Sequence, residues 1–352
     1  MRVKELQKTL EKGVCAIIQN PVNRFYLSGF RSSAGMIVLT ENKAVLLVDF
    51  RYFEKAKKTV QNMEVVLSNN FFANAKELLE TENIKKILPE TDFINLDSFE
   101  RMKNAFEGME VSNDNFLSKT ISSLRQIKSA EETECIKKSQ GITDNAFAHI
   151  LNFIKAGVTE REIALELEFF MRKIGGEGVA FDTIAVSGKN SSLPHGVPTE
   201  KPLENGDFLT MDFGAVYNGY CSDMTRTVAV GYVTDEQQKV YDTVLKAQLS
   251  ALKEIAPNKV CKEIDKISRD IINAEYEGCF GHGLGHSVGL EIHENPALNT
   301  RDETLLKAGV IMTVEPGIYI PDKFGVRIED MVLITDTSYE NLTKSPKELI
   351  II

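Results

Sequence analysis

The segment Asp212-Phe-Gly-Ala-Val-Tyr-Asn-Gly-Tyr-Cys-Ser-Asp223-Met-Thr-Arg-Thr227 sets one carboxylate on each of two alternating runs. Phe208, Thr210 and Asp212 fall on one strand face, and Leu209, Met211 and Phe213 on the other. Asn218-Gly219 supplies a turn, because both residues tolerate positive φ. A second alternation runs from Asp223 through Thr225 and Thr227. The segment therefore reads as a β-hairpin with an acidic residue on each strand. Two carboxylates side by side on rigid strands repel each other unless a cation or a proton sits between them. A hairpin carrying two solvated aspartates is the plainer alternative at this point.

Downstream, Gly-Val-Ile-Met-Thr-Val-Glu315-Pro-Gly-Ile-Tyr319 and Phe-Gly-Val-Arg327-Ile-Glu329-Asp330 repeat the same grammar. An apolar strand ends in acid-x-Gly, a turn follows, and a second acid opens the returning strand. This is a degenerate internal repeat, and it predicts a domain of two similar halves. Between the halves lies Gly281-His282-Gly-Leu-Gly-His286-Ser-Val-Gly-Leu-Glu-Ile-His293-Glu294. The chain has five histidines, of which three are here, His195 sits in Leu-Pro-His-Gly, and His149 alone lies elsewhere. Carboxylates together with imidazole are the ligand set of a divalent transition metal.

Length and composition narrow the class. At 352 residues two domains are expected. A net charge of −10 argues against nucleic acid or an anionic membrane surface as partner. No stretch approaches the ~20 apolar residues of a membrane span, and the N-terminus lacks the apolar core of a signal peptide. Cys15, Cys135, Cys221, Cys261 and Cys279 are scattered, with no CxxC. They read as the reduced thiols of a cytoplasmic protein.

Residues 1–123 read as a smaller α/β domain. Helical spacing gives way to Gly-Val-Cys-Ala-Ile-Ile and Arg24-Phe-Tyr-Leu-Ser-Gly-Phe30. A hairpin-like pair of runs ending at Asp49 comes next, and a helix opens at Arg51. With no ligand cluster or phosphate loop, this domain is assigned a structural, assembly or substrate-limiting role. Residues 124–352 form the second domain. Ser129/Glu132, Thr159/Glu162 and Thr234/Gln237 predict capping boxes at the heads of three helices. These helices should run to about Lys155, to Gly175-Gly176 and to about Ile255, and a fourth should span Lys262 to Tyr276. Strands are expected from Phe181 to Ser187. Helix-helix-sheet thus occurs twice, an α+β arrangement matching the two acidic hairpins. The charges from Glu160 to Arg172 read as a solvated helix face, His149 as a packed or surface side chain, and the glycines of 278–289 as room for close approach of substrate.

Together these motifs make the chain resemble the prolidase and aminopeptidase P family of pita-bread metallopeptidases. The likeness covers the C-terminal 230 or so residues and extends more weakly to Asn23-Arg-Phe-Tyr-Leu-Ser-Gly-Phe and Asp49-Phe-Arg-Tyr. The resemblance implies a pita-bread fold of two pseudo-symmetric helix-helix-antiparallel sheet halves, and a dinuclear centre with Asp212, Asp223, His286, Glu315 and Glu329 as ligands. Four carboxylates offset two divalent charges, and carboxylate bridging suits ions about 3.5–4 Å apart that acidify a water. Oxygen ligands with one imidazole favour manganese first, then cobalt, zinc or iron, whereas calcium or magnesium would leave His286 unexplained. By the same resemblance Glu315 takes the proton of the attacking water, while His195 and His293 stabilise the tetrahedral intermediate or shuttle a proton. His282 borders the substrate cleft, and Arg327 with Tyr319 hydrogen-bonds a ligand carboxylate. The implied activity is cleavage of an Xaa-Pro bond, in dipeptides or at the N-terminus of longer peptides, by a cytoplasmic homodimer that binds peptide and neither nucleic acid nor membrane. An aminopeptidase of methionine type on the same fold, or a non-catalytic peptide-binding module, are the alternatives.

Overall fold

The computed structural model describes residues 2–80 and 82–352, so Met1 and Thr81 lie outside the described residues. The chain divides into two compact units, Met1–Arg125 and Gln126–Ile352. No helix of the described residues is long and apolar enough to cross a membrane.

The first unit is built on a six-stranded sheet in the order Glu64–Leu67, Ala44–Val48, Met36–Leu39, Val14–Ile18, Lys86–Pro89, Glu110–Val111. Val14–Ile18, Met36–Leu39 and Ala44–Val48 are nearly continuous apolar runs, as expected of strands covered on both faces. Helices pack around them. Pro21–Ser28 starts at Asn20, whose side chain accepts from the Val22 and Asn23 amides, and ends at Gly29 in the left-handed conformation. Asp49 caps the helix Phe50–Thr59 by accepting from the Arg51 amide.

In the second unit each half begins with two helices. Ala130–Ile150 and Glu160–Lys173 open the first half, Asp235–Glu254 and Cys261–Asn273 the second. All three expected capping boxes are formed, at Ser129/Glu132, Thr159/Glu162 and Thr234/Gln237. The first helix stops at Ile150 rather than near Lys155, and the fourth at Asn273 rather than Tyr276. The first half's inner sheet has the order Met224–Ala229, Phe208–Phe213, Ile184–Ser187. The second half's sheet has the order Glu294–Leu298, Gly285–Ser287, Ile311–Val314, Asp330–Ile334, Tyr339–Asn341. Each helix pair buries its apolar stripe against the strands of its own half, in one cluster around Leu167, Leu209 and Met211 and another around Val244, Met312 and Val332.

The two acidic hairpins are not single ladders. Phe208–Phe213 pairs with Met224–Ala229, but the tip, Ala215–Tyr217 with Tyr220–Cys221 around the left-handed Asn218-Gly219, belongs to a different sheet. The chain breaks at Gly214 and at Ser222-Asp223. A Cβ on Gly214 would lie 1.9 Å from the Ser222 carbonyl oxygen, so only glycine lets the two breaks meet. The second hairpin does the same: Gly317–Ile320 pairs with Phe324–Arg327, while Ile311–Val314 pairs with Asp330–Ile334. Asp223, Glu315 and Glu329 therefore sit in breaks between ladders rather than within strands. Asp212 is the second-last residue of its strand, paired with Thr225.

One expectation fails. Glu160 is fully buried rather than solvated, its carboxylate accepting from the amides of Ser187 and Thr199 and from Asn190 Nδ2. The N-cap start of its helix turns it inward onto the loop Gly188–Pro198, which carries His195. Gly283 and Gly285 line the cavity and also make room for backbone, since a Cβ would meet the carbonyls of Leu298 at 3.0 Å and Thr313 at 2.0 Å.

Candidate metal centre

Asp223, His286 and Glu329 each turn one ligand atom into the same space, where the three atoms lie within 4.8 Å of one another. Glu315 joins them through Oε1, 3.4 Å from His286 Nε2, and Asp223 Oδ2 lies 3.5 Å from the same nitrogen. Asp212 reaches this group differently: its Oδ2 accepts from Arg327 Nη2 at 2.6 Å.

Neighbouring hydroxyls and amides orient each of these groups. Thr225 Oγ1 donates to Glu329 Oε2 at 2.7 Å and accepts from Arg327 Nε at 2.9 Å. Thr313 Oγ1 accepts from the His286 amide and donates to Glu315 Oε1. His286 Nδ1 lies 3.2 Å from the Ser287 carbonyl, which makes Nδ1 the donor and leaves the Nε2 lone pair toward the carboxylates. His282 Nδ1 likewise faces the Gly283 carbonyl, so Tyr319 donates its hydroxyl to His282 Nε2 at 2.9 Å while accepting from Arg327 Nη1 at 2.7 Å.

Electrostatics test whether a cation fits. Burial pushes the Asp223 and Glu329 carboxyls well above their ordinary range, and neighbouring carboxylates push them further. Glu315 is raised to about 8, chiefly by burial, with Arg327 opposing and Asp212 adding to the shift. Burial and then His293 lower His286 to about 4, which leaves the imidazole neutral. Asp212 Oδ1 and Glu329 Oε1 are buried with no hydrogen-bond partner among the described residues. Carboxylate oxygens that are buried, mutually repelling and unpaired, beside a neutral imidazole, form an unfavourable cluster that divalent cations neutralise. The donor set fits divalent metal ions.

The cluster floors a cavity of about 700 Å³, which His195, His282, His293 and Arg327 also line. His293 stands edge-on to His286 with ring centroids 4.4 Å apart. Tyr319 is not among the lining residues; its hydroxyl is hydrogen-bonded to two that are, Arg327 and His282. His149 is remote from this cavity, bonded to Glu166 Oε1 at 2.6 Å and stacked on Phe170. Phe181, Ile184, Ile292 and Val197 bring apolar side chains to the lining of the cavity. Sequence reading does not single out these four, because an apolar residue beside a strand looks like core. Thr225 and Thr313 were equally hidden, although each stands two residues from an acid of the repeat.

Comparison with known proteins agrees with this geometry. The model of metallopeptidase family M24 matches residues 134–336, and that of the creatinase/prolidase N-terminal domain matches residues 2–127. An Xaa-Pro dipeptidase of Pyrococcus furiosus is 39% identical over 356 residues, covering 99% of both chains. The solved structure of an Xaa-Pro dipeptidase from Bacillus anthracis superposes with TM-score 0.95 at 41% identity, over 100% of this chain and 99% of that one. That of an X-Pro aminopeptidase from Thermotoga maritima gives 0.92 at 37%, over 99% of each. A chain with this carboxylate-histidine cluster, this cavity and these matches belongs to metallopeptidase family M24 and is a metal-dependent peptidase.

Proposed function

We propose that the protein is an Xaa-Pro dipeptidase that holds two divalent ions, manganese foremost, between Asp212, Asp223, His286, Glu315 and Glu329. The observation that carries this reading is the convergence of Asp223, His286 and Glu329 atoms within 4.8 Å. The unpaired buried oxygens of Asp212 and Glu329 support it. Divalent ions bound there would act as Lewis acids on the scissile carbonyl and acidify a water for attack at neutral pH.

The chain's own groups do the rest. Arg327 pins Asp212 Oδ2 and Thr225 engages Glu329 Oε2, so Asp212 Oδ1 and Glu329 Oε1 are the oxygens that would hold an ion. Glu315, pushed up to about 8 without the ions, accepts the proton of the attacking water at its carboxylate. His293 and His195 flank the carbonyl and donate to the oxygen that becomes negative. The proton taken up by Glu315 goes to the departing nitrogen, directly or relayed by one of these histidines, which regains it from Glu315. A prolyl nitrogen carries no hydrogen, so it offers no backbone donor for recognition. The apolar lining residues Phe181, Ile184, Ile292 and Val197 suit its ring.

The likeness to an X-Pro aminopeptidase favours a second reading, in which longer peptides are the substrates. Xaa-Pro dipeptides assayed beside Xaa-Pro-Yaa tripeptides decide between them: the dipeptidase reading expects cleavage of the former only, and cleavage of tripeptides overturns it. The two domains, 1–123 and 124–352, are proposed as an N-terminal domain and a catalytic domain. The five free cysteines fit a reducing cytoplasm. A homodimer is the expected assembly, to be checked by sedimentation.

A further inference from the structure

Lys128 belongs to neither matched segment, since it falls between residues 2–127 and 134–336. Its side chain is nevertheless buried, at 1% exposure. Its Nζ donates to Glu294 Oε2 at 3.1 Å and to Ser287 Oγ at 3.1 Å, and its amide donates to the Gly309 carbonyl. Ser287 follows His286 in the chain, and Glu294 follows His293. One ammonium thus reaches two of the segments that deliver histidines to the cavity, those of His286 and His293.

The rest of the turn is organised around the same carboxylate. Glu294 Oε1 accepts from the Leu290 and Glu291 amides at 3.0 and 3.3 Å, closing the turn that leads to Ile292 and His293. A Cβ on Gly289 would lie 2.6 Å from both Glu294 carboxylate oxygens, so glycine at 289 is what lets the carboxylate fold over the turn. The Gly289 carbonyl in turn accepts from the Cys221 amide at 2.8 Å, two residues before Asp223. A buried ion pair adds little net stability over an apolar pair of the same shape. What this one supplies is a fixed separation between two segments.

Resting on the peptidase reading above, we propose that Lys128 is a positioning residue: through Ser287 and Glu294 it sets the His293 turn against the His286 strand, and so places His293 over the reacting carbonyl. His293 works on charge that develops after binding, so its displacement acts on kcat more than on KM.

The test uses the full chain as Lys128→Met, Lys128→Arg and the charge-neutral double variant Lys128→Met/Glu294→Gln. With manganese and an Xaa-Pro dipeptide, Lys128→Met is expected to lower kcat about 10–100-fold, the range for partners that orient ligands, with KM moved less than about threefold. Lys128→Arg, able to reach both acceptors, keeps more kcat than the Met variant. The double variant regains the thermal midpoint but not kcat. In the metal-free protein, amide hydrogen exchange across residues 289–294 is expected to quicken in the Met and double variants. Wild-type kcat in Lys128→Met, or in the double variant, would overturn the proposal by reducing Lys128 to a neutraliser of Glu294. If Lys128→Met fails to fold, kcat of the double variant decides in its place. If the wild-type chain cleaves no Xaa-Pro peptide with any ion, the peptidase reading fails, and exchange in the metal-free protein still decides the positioning: faster supports it, unchanged overturns it.

Discussion

The two acidic hairpins share a backbone plan and differ in the side chains around it. Asp212 and Glu315 each precede a glycine by two, and Asp223 and Glu329 each sit in a break between ladders. A threonine stands two residues before each first acid, as Thr210 and Thr313. There the likeness ends. Two residues before Glu329 stands Arg327, while the matching position before Asp223 is Cys221, a buried thiol. Two residues after Asp223 stands Thr225, which hydrogen-bonds Glu329, while Met331 stands two after Glu329 and takes the Asp223 amide on its sulfur at 3.0 Å. Where the halves agree they bring four carboxylates to one cavity. Where they differ, each half lends its odd residue to the other's acid, and this crossed bracing gives a symmetric scaffold an asymmetric site.

The comparison can be broken at its centre first. Asp223→Ala and His286→Ala remove one group from each half. Each is expected to lower kcat/KM by more than about 100-fold, beyond the cost of an orienting partner, while far-ultraviolet circular dichroism stays that of the wild type. Full activity in either variant would dismiss the metal assignment. Next comes the crossed brace: Arg327→Lys keeps the charge but loses the fork that spans Asp212, Tyr319 and Thr225. A drop in kcat/KM of about 10–100-fold and weaker manganese binding by calorimetry are expected.

A stability counterpart lies beneath the site. Arg226 is 1% exposed and donates to Asp330 Oδ1 at 2.8 Å, to the Glu329 carbonyl and to the Ser345 and Pro346 carbonyls. Arg226→Met removes these donors while Lys347 Nζ still holds Asp330 Oδ2 at 2.7 Å, so the cost in urea unfolding should sit at the low end for a broken buried pair, about 3 kcal/mol. The smallest effect is one of pH. Burial, then Arg327, lowers His282 to about 4 from 6.5. Between those values the unfolded chain binds a proton that the folded chain refuses, so this contribution is complete above pH 6.5 and is lost as pH falls toward 4. In the metal-free protein it amounts to at most about 3 kcal/mol, and His282→Gln should flatten that part of the stability curve. An unchanged slope would mean that His282 is not buried neutral.

The parts of this protein written in short-range signals were legible. The capping boxes at Ser129, Thr159 and Thr234 need only four consecutive residues, and all three helices start there. The acids and histidines were visible because their types are unusual at that density, and the fold brings them to one cavity. What stayed hidden depends on distant partners. Lys128 and Glu294 are 166 positions apart, and Glu160 meets Thr199 39 positions on, so nothing local marks Lys128 as buried and Glu160 reads as part of a solvated face. The breaks at Gly214 and Ser222 were missed for a related reason: alternation continues in phase across a break, while the pairing partner changes.

The most direct measurement strips the protein of metal, adds back manganese stepwise, and follows hydrolysis of an Xaa-Pro dipeptide beside the corresponding Xaa-Ala dipeptide. The account predicts no activity without metal, recovery that saturates at two ions per chain, and cleavage of the proline substrate in preference to the other. Activity that survives chelation, or a preference for Xaa-Ala at full metal loading, would contradict it.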